Sequence, residues 1–293
     1  MKKILRCLFF VFLCVVSATS FAGVKYLLAG CNWNKIALVD KKTQKILFLY
    51  EIPNYAECNS AVFTKDKKLF YTNKWNARIV DTKTSEILWE VKSQNGEEYH
   101  TASVLKNGTL LLACCGNPAR IIEMTSSGKI LKEVKFDTGV KNPHMQFRKV
   151  AKNKRGNYYV ALFSGKELLE VSPKGEILNR VKLDLDAFAV KELANGSVMI
   201  SGGGGKIRIL NPKTGEILRR IDSSTLSDEN VKLLFATEAQ YLKGGNILAT
   251  NWNGHDKDKS QPKVLEITPE NKVIWKLEND ENIDNVSSIT IVP

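Results

Sequence analysis

EVSPKGEILNRVK at residues 170–182 is one of six copies of the same phrase. The others read VDKKTQKILFLYEI at 39–52, VDTKTSEILWEVK at 80–92, EMTSSGKILKEVK at 123–135, LNPKTGEILRRID at 210–222 and EITPENKVIWKLE at 266–278. In each, a short apolar strand runs into a polar turn and leaves along a strand of alternating residues. Self-similarity at a regular spacing marks an array of supersecondary units that bury their apolar faces against one another.

A second unit lies between the copies: SAVFTKDKKLFYT, TASVLKNGTLLLA, FRKVAKNKRGNYYVAL, VKELANGSVMIS and AQYLKGGNILAT. Each reads as strand, tight turn, strand. Asn107-Gly108, Asn195-Gly196 and Gly244-Gly245 at the turns predict two-residue hairpin loops, because these residues tolerate positive φ. Gly128, Gly175 and Gly215 mark the other hairpin of each unit. Two hairpins in about 40–50 residues are the size of a propeller blade. No window carries a sustained helical period, which excludes helical solenoids.

The ends of the chain decide the closure. Tyr26 opens the second strand of a blade that lacks its first, and VSSITIVP at 286–293 has the pattern of that missing strand. The expected fold is all-β: a six-bladed β-propeller of four-stranded antiparallel blades, closed by the N- and C-terminal strands in one blade. It occupies residues 23–293 as a single domain. Residues 1–22 read as a secretory signal peptide, with Lys2, Lys3 and Arg6 ahead of an apolar run from Cys7 to Val16 and small residues up to Ala22. The protein is therefore expected to be exported, periplasmic or extracellular, with no transmembrane segment and as a monomer. Leu28-Ala29-Gly30-Cys31 spells a lipoprotein box, but Gly23 and Lys25 separate it from the apolar run, and lipidation of Cys31 is the weaker reading.

The formal charge is +12, or +9 without the leader, spread along the repeats. It favours anionic partners weakly. Export argues against nucleic acid. Cys31, Cys58, Cys114 and Cys115 follow the leader into a compartment where disulfides form, and pairing among them is expected, with three connectivities open.

DTKTSEILWEV at 81–91, NPKTGEIL at 211–218 and SPKGEIL at 172–178 resemble the superfamily of propellers with pyrroloquinoline-quinone-like and NHL-type repeats. Trp89 and Trp275 stand where such repeats carry a blade-packing tryptophan; Phe48, Lys132, Asn179 and Arg219 replace it elsewhere. The resemblance concerns scaffold residues. Quinone enzymes of this kind are usually eight-bladed, so no cofactor is expected. The resemblance also raises a ring disulfide at Cys114-Cys115, but no quinone–calcium constellation accompanies it.

In similar propellers the starts of the innermost strands and the loops after the second strands share one face around the axis, the default ligand site. Counting back from the hairpin turns gives Asn59, His100, Phe188 and Thr237, with His144 and Glu238 close by. Two imidazoles and a carboxylate could act as general acid and base or hold a metal ion, although no local ligand spacing supports a metal. CNWN at 31–34, NKWN at 73–76 and NWNGHD at 251–256 put Trp33, Trp75 and Trp252 beside asparagines, a pairing suited to stacking on sugar or aromatic rings. The plainer reading is that these tryptophans cap blades. The loop 251–262, with His255, Asp256 and Asp258, is the longest of its class.

Lys35, Arg78, Arg120, Lys166, Lys206 and Lys263 open or nearly open the third strands. Convergent, they would make the funnel electropositive; solvated strand ends are the blander alternative. SGGGGK at 201–206 joins two strands with no helix after it, so it reads as a flexible loop that widens the funnel, not as a phosphate loop.

The leading expectation is a binding propeller that takes an anionic or glycan-like small molecule, or a protein partner, on the funnel face. Candidate ligand-binding residues are Asn59, His100, His144, Glu238, Trp33, Trp75, Trp252 and Arg120. The alternatives are a lyase or aryl-sulfotransferase-like enzyme using His100 or His144 as base or nucleophile with Glu238 and Arg120 in support, and an envelope assembly scaffold.

Overall fold

The computed structural model describes residues 24–254 and 258–292. The leader at 1–22, His255 and Asp256 lie outside them. The described chain forms 24 strands and one turn of 3-10 helix at Pro143–Met145. The strands make six four-stranded antiparallel sheets. Their innermost strands are Val286–Val292, Ser60–Phe63, Glu98–Val104, Phe147–Lys152, Ala187–Glu192 and Ala239–Tyr241, for blades one to six. Blade one is assembled from both ends of the chain: Val286–Val292 pairs antiparallel with Lys25–Gly30, with Ile289 opposite Leu28. No helix among the described residues is long and apolar enough to cross a membrane.

Each gap between neighbouring blades is filled by its own apolar cluster. The strand LLLACC at 110–115 shows how. Leu110, Leu112 and Cys114 pack toward blade two, and Leu111, Ala113 and Cys115 toward blade four. A strand covered on both faces has no polar alternation, so it reads as one apolar run. Val286 and Ile289 join Leu248, Val264 and Leu277 of blade six, so the terminal clasp also seals the last gap.

The blade-packing position becomes a latch onto the next blade. Trp275 of blade six meets Tyr26 of blade one edge-on at 5.7 Å, and Phe48 of blade one meets Phe63 of blade two at 5.9 Å. Trp89 lies so close to Gly128 of blade three that a Cβ there would sit 2.2 Å from the indole. Where the ring is missing, polar groups take over: Asn179 donates to Pro212 O at 3.1 Å, and Arg219 to Asn271 Oδ1 at 3.1 Å.

Three sequence expectations need correction. The inner hairpins are not two-residue loops: the Gly108 N–H donates to Leu105 O and the Leu105 N–H to Thr109 O, both at 2.8 Å. That leaves a three-residue loop in which Gly108, not Asn107, takes positive φ. Asn107 uses its side chain to accept from the Thr109 N–H at 3.0 Å.

All four cysteines in the described residues are free. Cys114 and Cys115 are strand neighbours that leave by opposite faces. Burial pushes the Cys58 and Cys114 thiols up to about 12, which keeps them protonated and unreactive.

The glycine run is closely packed and does not widen the funnel. A Cβ on Gly202 would sit 2.0 Å from Asp186 O, and one on Gly205 1.9 Å from Leu233 O. The missing side chains let the segment leading to Phe235 cross directly over blade five.

Candidate functional site

The inner strands are irregular where they enter the ring. Tyr99 pairs with Cys114 and Thr101 with Ala113, which leaves His100 as the extra residue. Phe188 is the extra residue between Ala187 and Ala189, and Ser287 falls in the break opposite Ala29 and Gly30. In blade four, Arg148 and Lys149 together occupy the break between Phe147 and Val150. A β-bulge turns one side chain out of the pleat. Here the repeated bulge sends side chains from several blades toward the axis.

Three of them, His100, Arg148 and Ser287, join side chains from strand starts and loops in one hydrogen-bonded cluster. Glu98 Oε2 accepts from His100 Nε2–H and from His144 Nδ1–H, both at 2.8 Å. Asn59 Nδ2 donates to His100 Nδ1 at 3.1 Å and to Glu57 Oε1 at 2.5 Å, while its Oδ1 accepts from Cys31 Sγ at 2.9 Å. Arg148 donates through Nε to Glu57 Oε1 at 3.3 Å, through Nη1 to His144 O at 2.7 Å and through Nη2 to His144 Nε2 at 3.1 Å. Lys74 Nζ stands 3.5 Å from Glu98 and 3.9 Å from Glu57.

His100 is fully buried. That burial, together with the Arg148 charge, pushes its imidazole down to about 4 in spite of Glu98, so it is neutral at physiological pH. Burial alone would raise the Glu98 carboxyl, but the hydrogen bonds from His100 and His144 outweigh it and hold Glu98 well below the usual range. Burial likewise opposes ionisation of Glu57. In the acid range where Glu57 titrates, the His100 and Arg148 cations and the Asn59 amide prevail, and its value falls to about 2. Two carboxylates thus balance Lys74 and Arg148.

Above the cluster lies a cavity of about 420 Å³. Its opposite wall is aromatic: Phe163, Phe188, Phe235 and Trp252 come from blades four, five and six. Phe163 and Phe235 stack at 6.5 Å, and Phe188 and Trp252 meet Phe235 edge-on at 5.5 and 5.9 Å. The Arg148 guanidinium lies 5.9 Å from the Phe163 ring and 5.7 Å from that of Phe188, which joins the two walls.

The structure brings Asn59, His100 and His144 into this cluster and puts Trp252 on the cavity wall, with Phe188 and Thr237 also lining it. Glu238 is elsewhere. It accepts from Ser288 Oγ and the Ile289 N–H at 2.9 Å and pairs with Lys149 at 3.1 Å, toward the other end of the axis. Trp33 is packed between blades six and one and donates to Asn282 O at 3.0 Å. Trp75 is 45 % exposed, lies against Lys74, and does not line the cavity.

The strand-opening basic residues do not converge. Arg120 pairs with Glu97 and Glu133, Arg78 with Glu90, Lys166 with Asp186 and Lys206 with Asp184. Lys35 donates to Asn282 Oδ1 and Lys263 to Ile283 O.

Sequence reading missed Arg148, Glu57, Glu98, Lys74, Phe163 and Phe235. A signal for Arg148 existed: it stands as far before Gly156 as His100 before Gly108 and Phe188 before Gly196. Ligand atoms of Glu98, His100 and His144 lie within 4.8 Å of one another, a spacing that could hold a metal ion. These atoms already satisfy one another through hydrogen bonds, however, and the Lys74 and Arg148 cations stand 3.4 and 3.1 Å from the His144 ring. The donor set therefore fits a proton network better than a cation.

Residues 31–272 match the family model described as Mal s 1 allergenic protein-like. A solved structure of a protein of unknown function from Bacteroides caccae is 33 % identical with a TM-score of 0.86, over 92 % of this chain and 99 % of that one. Virginiamycin B lyase from Staphylococcus aureus superposes with a TM-score of 0.60 at 15 % identity, over 89 % and 85 % of the two chains. A catalytically inactive form of that lyase with quinupristin gives 0.59 at 15 %, over 87 % and 85 %. At such identity the likeness to the lyase is one of fold. No curated protein sequence matches the chain significantly.

Proposed function

We propose, for a chain that belongs to the Mal s 1 allergenic protein-like family, that the axial cavity binds a small molecule with a flat or cyclic body and several hydroxyl or amide groups, such as a glycoside. The observation that carries this is the two-walled cavity: four aromatic rings on one side and a hydrogen-bonded charged cluster on the other. Aromatic rings supply area for a ring face, and the charged groups supply orientation. Because the cations are matched by Glu57 and Glu98, the cluster suits a polar neutral group better than a lone anion.

Binding is favoured over general-base catalysis by the state of His144. Its Nδ1–H is given to Glu98 and its Nε2 lone pair accepts from Arg148, which leaves neither nitrogen free to take a proton from a ligand. The scaffold resemblance to quinone-type repeats adds no cofactor to this reading. The leader-like residues 1–22 support export, which would place the site in the periplasm or outside the cell.

The test is ligand-induced thermal stabilisation with a panel of aryl glycosides and oligosaccharides. Trp252→Ala and Phe188→Ala should each abolish the shift seen with the wild-type protein. Equal shifts in all three proteins would rule the cavity out as the binding site.

A further inference from the structure

The channel widens again beyond the charged cluster, into a cavity of about 300 Å³ at the opposite end of the ring. Three lysines from neighbouring inner strands line it, and they are not equivalent. Lys149 Nζ is fully engaged with Ser60 Oγ at 2.8 Å, Ser288 Oγ at 3.3 Å and Glu238 at 3.1 Å. Lys152 pairs with Glu123 at 2.6 Å. Lys191 donates to Gln240 Oε1, and among the described residues no carboxylate lies within ion-pair distance of it. Lys191 keeps solvent-accessible surface within the channel, although the surrounding walls desolvate its ammonium and lower its pKa below the ordinary lysine value. An ammonium has three donors, so two remain for a ligand.

A second, independent observation lies on the same wall. Ser201, 2 % exposed and lining this cavity, has a buried hydroxyl without a hydrogen-bond partner. Buried polar groups are rarely left unpaired. Its cross-strand neighbour on the inner strand is Ala189, and Lys191 follows two residues later on the same face. Ala189 contributes only a methyl group there, and all three residues line the cavity.

We propose that Lys191 and Ser201 form a site for a small oxyanion, a carboxylate or a phosphate, distinct from the aromatic mouth. The ammonium supplies charge and two donors, the serine hydroxyl a third, and Gln240 fixes the lysine side chain. The charge of Glu238 is offset by its ion pair with Lys149, and its Oε2 is occupied by hydrogen bonds from Ser288 and the Ile289 amide.

Succinate and inorganic phosphate, titrated separately against the full chain by isothermal calorimetry at constant ionic strength set with chloride, read the site directly. At least one should bind saturably. Lys191→Gln should weaken it by on the order of tenfold or more, as expected for loss of a charged hydrogen bond, and Ser201→Ala by several-fold. Lys152→Gln should leave it unchanged, which separates a site from diffuse attraction. Lys191 is accessible, so its variant is expected to keep the wild-type circular dichroism and its response to glycosides at the other mouth. Absence of saturable binding for both anions, or equal affinity in Lys191→Gln, would overturn the proposal and leave the aromatic cavity untouched.

Discussion

A free imidazole titrates near 6.5, whereas His100 inside the ring does so at about 4 because burial and Arg148 disfavour its cation. A histidine whose folded value is depressed contributes stability that is complete above the unfolded value. That contribution is lost as pH falls from about 6.5 toward 4, since the unfolded chain takes up the proton first. At pH 7 the wild type should therefore be more stable than His100→Gln, and the gap should close as the pH is lowered to about 4. Melting temperatures across that range check this; a constant gap would mean that His100 is not the buried neutral group described. Arg148 should be costly to remove. Arg148→Met removes the guanidinium from Glu57, which keeps only Asn59 and the more distant Lys74, and from the His144 carbonyl, and should cost on the order of 3 kcal/mol in urea unfolding. Residue by residue, the site was half legible. Positions at a fixed distance before a hairpin turn, such as Asn59 and His100, could be counted. Glu57, Lys74, Phe163 and Phe235 sit in loops, where no period tells which way a side chain points.

At the scale of elements, the repeated phrase was legible because each outer hairpin turns the same position toward the next blade, whether a ring or a polar group stands there. The conformation of the inner hairpins was not, since Asn-Gly suits both two- and three-residue loops and only the strand register chooses. Gly175 and Gly196 separate conformation from packing. Both have strongly positive φ, but a Cβ on Gly175 would sit 2.1 Å from Lys135 O, while one on Gly196 meets nothing within 4 Å. Gly196→Ala should therefore cost about 1 kcal/mol, the price of the left-handed backbone alone. Gly175→Ala should cost clearly more, because the blades must part. Denaturant midpoints of the two variants give the comparison, and equal losses would contradict the close approach.

For the whole molecule, closure and site are one matter. The strand at 286–292 buries Val286 and Ile289 and also brings Ser287 to Asn59 at 3.3 Å. Deleting 286–293 should abolish the cooperative unfolding transition and yield aggregates on size exclusion, because each buried aliphatic side chain contributes about 1.5–3 kcal/mol and the Lys25–Gly30 edge is laid bare. The ring could be inferred from repeat count and termini. The division of its axis into an aromatic, charge-balanced mouth and a lysine-lined opposite end could not, since it depends on bulges that shift register by one residue. The chain has five tryptophans, and only Trp252 lines the mouth, so the indole N–H region of a ¹H–¹⁵N spectrum reports on the cavity directly. On addition of a stabilising aryl glycoside, the account predicts that the Trp252 signal moves while those of Trp89 and Trp275, locked between blades, do not. Movement of Trp89 or Trp275 with Trp252 unchanged would contradict it.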